Sequence, residues 1–367
     1  MQIMSVVGAR PQFVKLAPMA RALAGRCDHV VVHTGQHYDT AMSDVFFDEL
    51  DIPRPDEHLD IGSAPHGAQT GRMLEALEGV LERRRPDAVL VYGDTNSTLA
   101  ATLAAVKLGI PVAHLEAGLR SFNRSMPEEH NRVMTDHAAD LCLAPTAGAV
   151  EHLRAEGLGD RTVLVGDVMT DVLYAVRDRD RDRDRAARPQ EARVASPAPL
   201  APTAPYVLAT LHRPANTDDP ERLGDVLDGL EAVGRSGRTV LLLAHPRLRA
   251  RASASGVVLD RPGLIVAPPV GYPELVDLLS GADGVVTDSG GLQKEAFLLR
   301  RPCVTVRSDT EWPETVTLGW NELVGDRPVE MADRLDGLAC PRTDATPYGD
   351  GRAATRAVDA VLARFAG

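Results

Sequence analysis

Along the chain, short apolar runs end in a Gly- or Asp-bearing turn and lead into longer amphipathic segments. The first run, residues 3–7, reads as a strand that stops at Gly8-Ala9-Arg10-Pro11. Pro11 suits the first turn of a helix, where its missing N–H costs nothing. That helix would put Phe13, Leu16, Ala20 and Leu23 on one face, with a kink expected at Pro18. Residues 30–34, 88–92, 112–115 and 141–144 repeat the strand signal, and 162–165 carries it more weakly. Between two of these runs, 98–108 reads as an Ala- and Leu-rich helix. Strands alternating with helices imply parallel pairing, because each crossover returns the next strand in the same direction.

The rhythm breaks over 177–205, where Arg and Asp alternate from Arg177 to Arg185 and a Pro- and Ala-rich stretch follows. Each Arg there has an Asp neighbour, so the segment reads as a solvated inter-domain linker with a frayed helical start rather than a nucleic-acid arm. The strand signal returns at 206–211, 240–244, 264–266, 284–287 and 303–306, with helices near 220–233, 273–280, 292–299 and 353–365. The expected organisation is an N-terminal domain over 1–176, the linker over 177–205, a second domain over 206–350, and a C-terminal helical segment over 351–367 that could cross back to the first domain. The fold class this implies is α/β, with two Rossmann-like doubly wound domains facing each other across a cleft. Ligands bind such sheets at the carboxyl ends of the strands, so the polar residues found there become the candidates.

A length of 367 residues agrees with two domains. The net charge of -12 disfavours nucleic acid as a partner, since phosphate contacts need a basic face. Four scattered cysteines (Cys27, Cys142, Cys303 and Cys340) form no C-x-x-C pair and read as thiols in a reducing compartment. The apolar start is too short for a secretory leader and no stretch is long enough to span a membrane, so a cytoplasmic protein is expected. No cluster has metal-ligand spacing, and G-x-G-x-x-G is missing, so neither a metal nor a dinucleotide cofactor is expected.

Arg10 and Lys15 flank the start of the first helix and suit an anion, though two surface cations would look the same. Asp94, in Gly93-Asp94-Thr95-Asn96-Ser97, is either a helix cap or a functional carboxylate. His114-Leu115-Glu116-Ala117-Gly118-Leu119-Arg120 sets a carboxylate and a cation around a tight turn. Glu128 and Arg132 are four apart, a spacing that also suits a surface ion pair. In the second half, His212-Arg213 and His245-Pro246-Arg247 both follow strands. The sharpest segment is Asp288-Ser289-Gly290-Gly291-Leu292-Gln293-Lys294-Glu295, where a hydroxyl and two glycines ahead of a helix let backbone N–H groups approach an anionic ligand.

Taken in order, residues 8–15, Gly93-Asp94-Thr95, Glu116-Ala117-Gly118-Leu119-Arg120, Pro127-Glu128-Glu129 with Asn131-Arg132, His212-Arg213, residues 288–295 and Pro347-Tyr348-Gly349-Asp350-Gly351 resemble the non-hydrolysing UDP-N-acetylglucosamine 2-epimerase family. The match covers nearly the whole chain outside 177–205. The resemblance implies a GT-B-like fold, a homodimer and a UDP-sugar substrate. It also implies inversion at C2, without a cofactor, by anti elimination of UDP and re-addition to 2-acetamidoglucal. By position it assigns Asp94, Glu116 and Glu128 to the acid/base set, with Lys15 and Arg132 orienting the sugar and carboxylates. His212 would lie near the leaving diphosphate, held by Arg10, Ser289, Gly290 and Gly291, while Glu295 binds the ribose and Leu275 lies near the uracil.

Two departures from the family bear on the ligand. Many bacterial members carry an Arg in the segment that here reads Thr310-Glu311-Trp312-Pro313-Glu314, so either Arg307 compensates or the diphosphate is held differently. Many also bind a second, activating UDP-sugar through Gln-His-x-Gln. Here Gln36-His37-Tyr38-Asp39 puts a carboxylate at the last position, beside matching residues Arg213 and His245. Like charges repel in a closed site, so weak activation or none is expected. The alternatives to epimerisation are a hydrolysing relative that releases the free sugar and a GT-B glycosyltransferase.

Overall fold

The structure is a computed structural model and describes residues 1–36, 52–185, 200–202 and 205–366. Among these the chain forms two compact units, one of Met1–Tyr174 with Thr346–Gly367 and one of Ala175–Ala345. The division falls within the helix Val168–Arg185, so the Arg-Asp alternation expected in a linker is helical backbone as far as Arg185.

In the first unit the strands are β1 (Gln2–Val7), β2 (Asp28–His33), β3 (Glu57–His58), β4 (Ala88–Tyr92), β5 (Val112–Leu115), β6 (Leu141–Ala144) and β7 (Thr162–Leu164). They form one parallel sheet in the order β3-β2-β1-β4-β5-β6-β7. The chain builds outward from β1 to one edge, then restarts at β4 on the other side, with Val6 paired to Val91 where the order reverses. Such a reversal leaves a crevice at the carboxyl ends of the two central strands. The central strands are apolar along their length because helices cover both faces. Met4, Val6, Val89, Val91 and Val112 pack there on Met73, Leu77 and Leu81 of the helix His66–Arg84. Each such fully buried side chain contributes roughly 1.5–3 kcal/mol relative to exposure.

The helix Arg10–Leu23 runs on through Pro18 without ending there. The last helix, Ala353–Phe365, packs in this first unit, where Asp171 accepts from the backbone N–H groups of Ala353 (3.0 Å) and Ala354 (2.8 Å). Arg26 adds an ion pair to Asp359 at 2.8 Å.

The second unit repeats the plan with β8 (Tyr206–Leu211), β9 (Thr239–Ala244), β10 (Leu264–Ala267), β11 (Gly284–Thr287), β12 (Cys303–Thr305) and β13 (Asn321–Leu323). Its parallel order is β10-β9-β8-β11-β12-β13, so the reversal lies between β8 and β11, where Thr210 pairs with Thr287. No helix among the described residues is long and apolar enough to cross a membrane.

Candidate active site

In the first unit the candidate carboxylates cluster where the strand order reverses. Thr95, not Asp94, caps the helix Asn96–Lys107, accepting from the Thr98 N–H at 3.4 Å. The Asp94 carboxylate is thereby left for Arg132, which donates to it from Nε at 2.9 Å and pairs with it through Nη2 at 2.7 Å. Asn131 holds the Asp94 backbone carbonyl at 2.9 Å. Lys15 reaches from its helix to donate to Glu116 Oε2. Burial pulls the Lys15 pKa down, but Glu116 and then Asp94 outweigh it and hold the ammonium above its ordinary value. Glu116 itself has φ 74, a left-handed conformation unusual for a residue with a side chain.

That turn closes only because residue 118 is glycine. Its φ is 83, and a Cβ there would stand 2.4 Å from the Ala149 carbonyl oxygen. Gly93, across from it, also has positive φ, and its missing Cβ leaves room for the Lys15 ammonium and the Glu116 carboxylate.

Glu128 and Glu129 begin the helix Pro127–Ala138 and have different surroundings. The ion pair that spacing allows between Glu128 and Arg132 does not form; Arg132 Nη1 instead binds Glu129 at 2.7 Å. Glu129 is buried and also accepts from the Ser121 N–H and hydroxyl, each at 2.9 Å, and from the Phe122 N–H at 2.9 Å. Burial pushes its pKa up, but the Ser121 N–H and Arg132 outweigh that and hold it below the usual carboxylate range. Glu128, half-buried, has no polar partner among the described residues. Arg120, expected to present a cation at the turn, is instead buried behind it, paired with Asp136 at 2.7 Å and Glu156 at 2.7 Å.

In the second unit, His212 follows β8 and Asp288 follows β11, side by side at the reversal. His212 Nδ1 lies 2.9 Å from Asp288 Oδ1. The same carboxylate, wholly buried, accepts from the N–H groups of His212 (3.1 Å) and Arg213 (3.0 Å) and from Asn216 Nδ2 (3.2 Å). Burial would raise its pKa, but His212 above all keeps it low and the group ionised. Nδ1 of the ring is thus fixed as a donor, and Nε2 is left for chemistry. Sequence reasoning gave Asp288 no role of its own, although an Asp and a His ending adjacent strands were the available signal.

Ser289 stands at the N-cap of the helix Gly290–Leu298, with its hydroxyl not used as a cap and Gly290 and Gly291 in the first turn. Glu295 accepts from the Tyr272 hydroxyl at 3.0 Å, and Leu275 packs at the edge of the core beneath. Arg307 is engaged by Glu311 at 2.8 and 2.9 Å and by Asp309 at 2.8 Å, so the compensation expected of it would require those pairs to break. Glu311 lies beside Gly290, whose Cβ would stand 3.2 Å from Oε2. Trp312 is buried, with the Lys294 ammonium 4.2 Å from its ring centroid.

Of the residues expected at a second nucleotide site, His37 and Asp39 lie outside the described residues; Arg10, expected on the substrate diphosphate, is placed only as the first residue of its helix. Gln36 accepts from the Ser97 hydroxyl at 2.7 Å, Arg213 Nε donates to the Asp288 carbonyl at 3.0 Å, and His245 Nδ1 accepts from the Arg247 N–H at 3.2 Å.

Two doubly wound, parallel-sheet units with their polar residues at the points of reversal define a GT-B-like α/β protein. A family model described as UDP-N-acetylglucosamine 2-epimerase matches residues 21–362, and the chain belongs to that family. It is 45% identical, over 97% of its length and 98% of the relative's, to the UDP-2,3-diacetamido-2,3-dideoxy-D-glucuronate 2-epimerase of Pseudomonas aeruginosa. Identity to the UDP-N-acetylglucosamine 2-epimerase of Methanocaldococcus jannaschii is 39%, over 98% of each chain. A crystal structure of the latter enzyme in complex with UDP-GlcNAc and UDP superposes with a TM-score of 0.84 at 37% identity, covering 99% of this chain and 100% of that one. With the family established, the glycosyltransferase alternative falls away.

Proposed function

We propose that the protein interconverts UDP-GlcNAc and UDP-ManNAc by anti elimination of UDP to 2-acetamidoglucal, return of UDP to C1 on the face it left, and protonation of C2 on the face opposite the one that lost its proton. A base takes the C2 proton, the C2–H electron pair becomes the C1=C2 π bond, and the C1–O pair leaves on the UDP β-phosphate oxygen. In the return step that oxygen attacks C1 while an acid protonates C2 from the opposite face. Electrons balance without a redox partner, so the reaction needs a base, an acid and a stabilised leaving anion.

The observation that carries the reading is the division among the three carboxylates of the first unit. Asp94 is paired with Arg132 and Glu116 with Lys15, whereas Glu128 has no cation partner among the described residues. Glu128 is therefore the carboxylate free to exchange a proton, and the two paired groups orient the sugar. A positioned base of this kind contributes about 10²–10⁴ in rate. In the second unit His212, fixed by Asp288, is read as the group that meets the leaving diphosphate, with Ser289, Gly290 and Gly291 as its binders, Glu295 for the ribose and Leu275 for the uracil. Negative charge developing on the departing UDP is met by backbone N–H groups at the start of the helix Gly290–Leu298.

A second substrate is favoured by the 45% identity to the diacetamido-glucuronate epimerase. That sugar differs from N-acetylglucosamine at C3 and C6, away from the reacting C1 and C2, so the same acid/base set serves both. Incubation of each UDP-sugar in deuterated water, with NMR of the products, tests the reading. Deuterium at C2 of an epimerised UDP-GlcNAc supports it. Conversion of the diacetamido sugar alone moves the assignment to that substrate, release of free ManNAc moves it to hydrolysis, and retained C2 protium refutes elimination. The reading includes a homodimer, to be checked by light scattering.

A further inference from the structure

Behind the turns that carry Asp94 and Glu116 lies a chain of buried charge to which the acid/base roles give no task. His114, on β5 and wholly buried, has Nδ1 2.6 Å from Asp136 Oδ1 and Nε2 2.7 Å from the Gly93 carbonyl oxygen. Asp136, equally buried, receives Arg120 Nη1 at 2.7 Å and the Gly118 N–H at 3.0 Å on its other oxygen. Arg120 continues to Glu156 through Nε and Nη2, each at 2.7 Å. The Cys142 thiol donates to the Asp136 backbone carbonyl at 3.6 Å and, its pKa pushed up by burial to about 12, adds no charge. His137 meets Glu156 at 3.1 Å on the exposed side.

Both nitrogens of His114 therefore face oxygens at hydrogen-bond distance. The Gly93 carbonyl can only accept. Asp136 is ionised, because His114 and Arg120 together overcome the cost of its burial. A neutral ring has one proton for two acceptors and would press a lone pair against one of them.

We propose that His114 donates from both ring nitrogens and is a positioning residue, tying the Gly93-Asp94 turn to the Glu116-Gly118 turn. Its Nε2 proton holds the peptide immediately before Asp94, and Asp136, through the Gly118 N–H, holds the far side of the Glu116 turn. The distance between the paired carboxylates is thereby set from behind, by a group that touches neither substrate nor any acid/base residue. A displacement of about 1 Å at such a site costs on the order of 10²-fold in turnover.

The inference rests on the proposed epimerase chemistry only in its kinetic arm. In protein labelled with ¹⁵N at its eleven histidines, long-range proton–nitrogen correlation at pH 7 should show one ring with a proton on each nitrogen, bonded to its two acceptors. His114→Gln should remove that signal. A spectrum in which the signal that His114→Gln removes carries only one ring proton overturns the proposal, and this reading needs no turnover. On whichever UDP-sugar the wild type converts, His114→Gln should lower kcat about 100-fold with KM changed less than threefold. Unchanged kcat, or a loss confined to KM, overturns the positioning role. If the wild type converts neither sugar, the epimerase reading fails, and the spectrum alone decides this inference.

Discussion

Replacing Glu129 with Gln should loosen Arg132 and the Ser121-Phe122 backbone together while leaving the fold standing. Oε2 of Glu129 accepts from the Ser121 N–H, the Ser121 hydroxyl and Arg132 Nη1, and Oε1 accepts from the Phe122 N–H. A glutamine of the same shape has one acceptor and one donor end. Turned so that its oxygen serves Ser121 and Arg132, it loses the Phe122 bond and meets an N–H with an N–H. The two Ser121 bonds fall from charged to neutral acceptors, from roughly 1.5–3 to roughly 0.5–1.5 kcal/mol each, and with the lost Phe122 bond, worth roughly 1.5–3 kcal/mol, the sum comes to about 3.5–6 kcal/mol. In a domain of 150–250 residues each kcal/mol shifts Tm by roughly 2–4 °C, so a fall of about 7–24 °C is expected. Arg132 keeps its bonds to Asp94 but its second anchor becomes a neutral amide oxygen, and kcat should drop about 10–100-fold with a smaller change in KM. Calorimetry and an NMR time course of UDP-sugar conversion measure the two effects. A Tm within 1 °C of the wild type and a kcat within twofold would show that Arg132 is aimed by something other than Glu129.

The neighbouring Glu128→Gln should behave in the opposite way, with Tm nearly unchanged because no partner is lost, and turnover down about 10²–10⁴-fold; normal turnover would remove Glu128 from the acid/base set. Asp288→Asn replaces the ionised partner of His212 Nδ1 and should cut kcat at least about 10²-fold, whereas wild-type activity would mean that His212 needs no fixed tautomer. Glu129, Asp136 and Asp288 are all held below the ordinary carboxylate range, so each favours the folded state above an unfolded-state pKa of about 4 and loses that contribution as pH falls through its lower folded value. Asp171, raised by burial, works in the opposite sense and favours the folded state as pH falls through its folded value. The urea midpoint should therefore hold from pH 7 to 5 and drop below pH 4; a drop already complete by pH 5 would assign acid sensitivity to other groups.

Much of the architecture was legible because the central strands are buried on both faces. β4, β5, β6, β8 and β11 begin and end where their apolar runs do, since a strand covered on both faces is filled mainly by apolar side chains. The edges lack that constraint. Glu57-His58 and Asn321-Glu322-Leu323 form strands through backbone pairing alone, with no apolar run to announce them. The helix His66–Arg84 buries Gln69, Met73, Leu77, Val80 and Leu81 at helical spacing, but Gly67, Gly71 and Gly79 dilute the pattern.

The site divides along a different line. Residues that end strands at the reversals, Asp94, His212 and the 288–295 segment, could be picked out because topology places them before any contact is known. Their partners could not. Asp288 lies 76 residues from His212, and Asp136 lies 22 from His114, distances over which sequence spacing carries no geometry. The choice between Glu128 and Glu129 shows why even short spacing fails. Both stand within one helical turn of Arg132, and i,i+4 and i,i+3 pairs are of similar strength on an open helix. What separates them is the return of Ser121 and Phe122, whose N–H groups converge on Glu129 and hold it ionised against Arg132. The left-handed Phe122, with φ 56, aims one of those N–H groups. The loop thus decides which carboxylate becomes structural, and by occupying Arg132 it leaves the other one free.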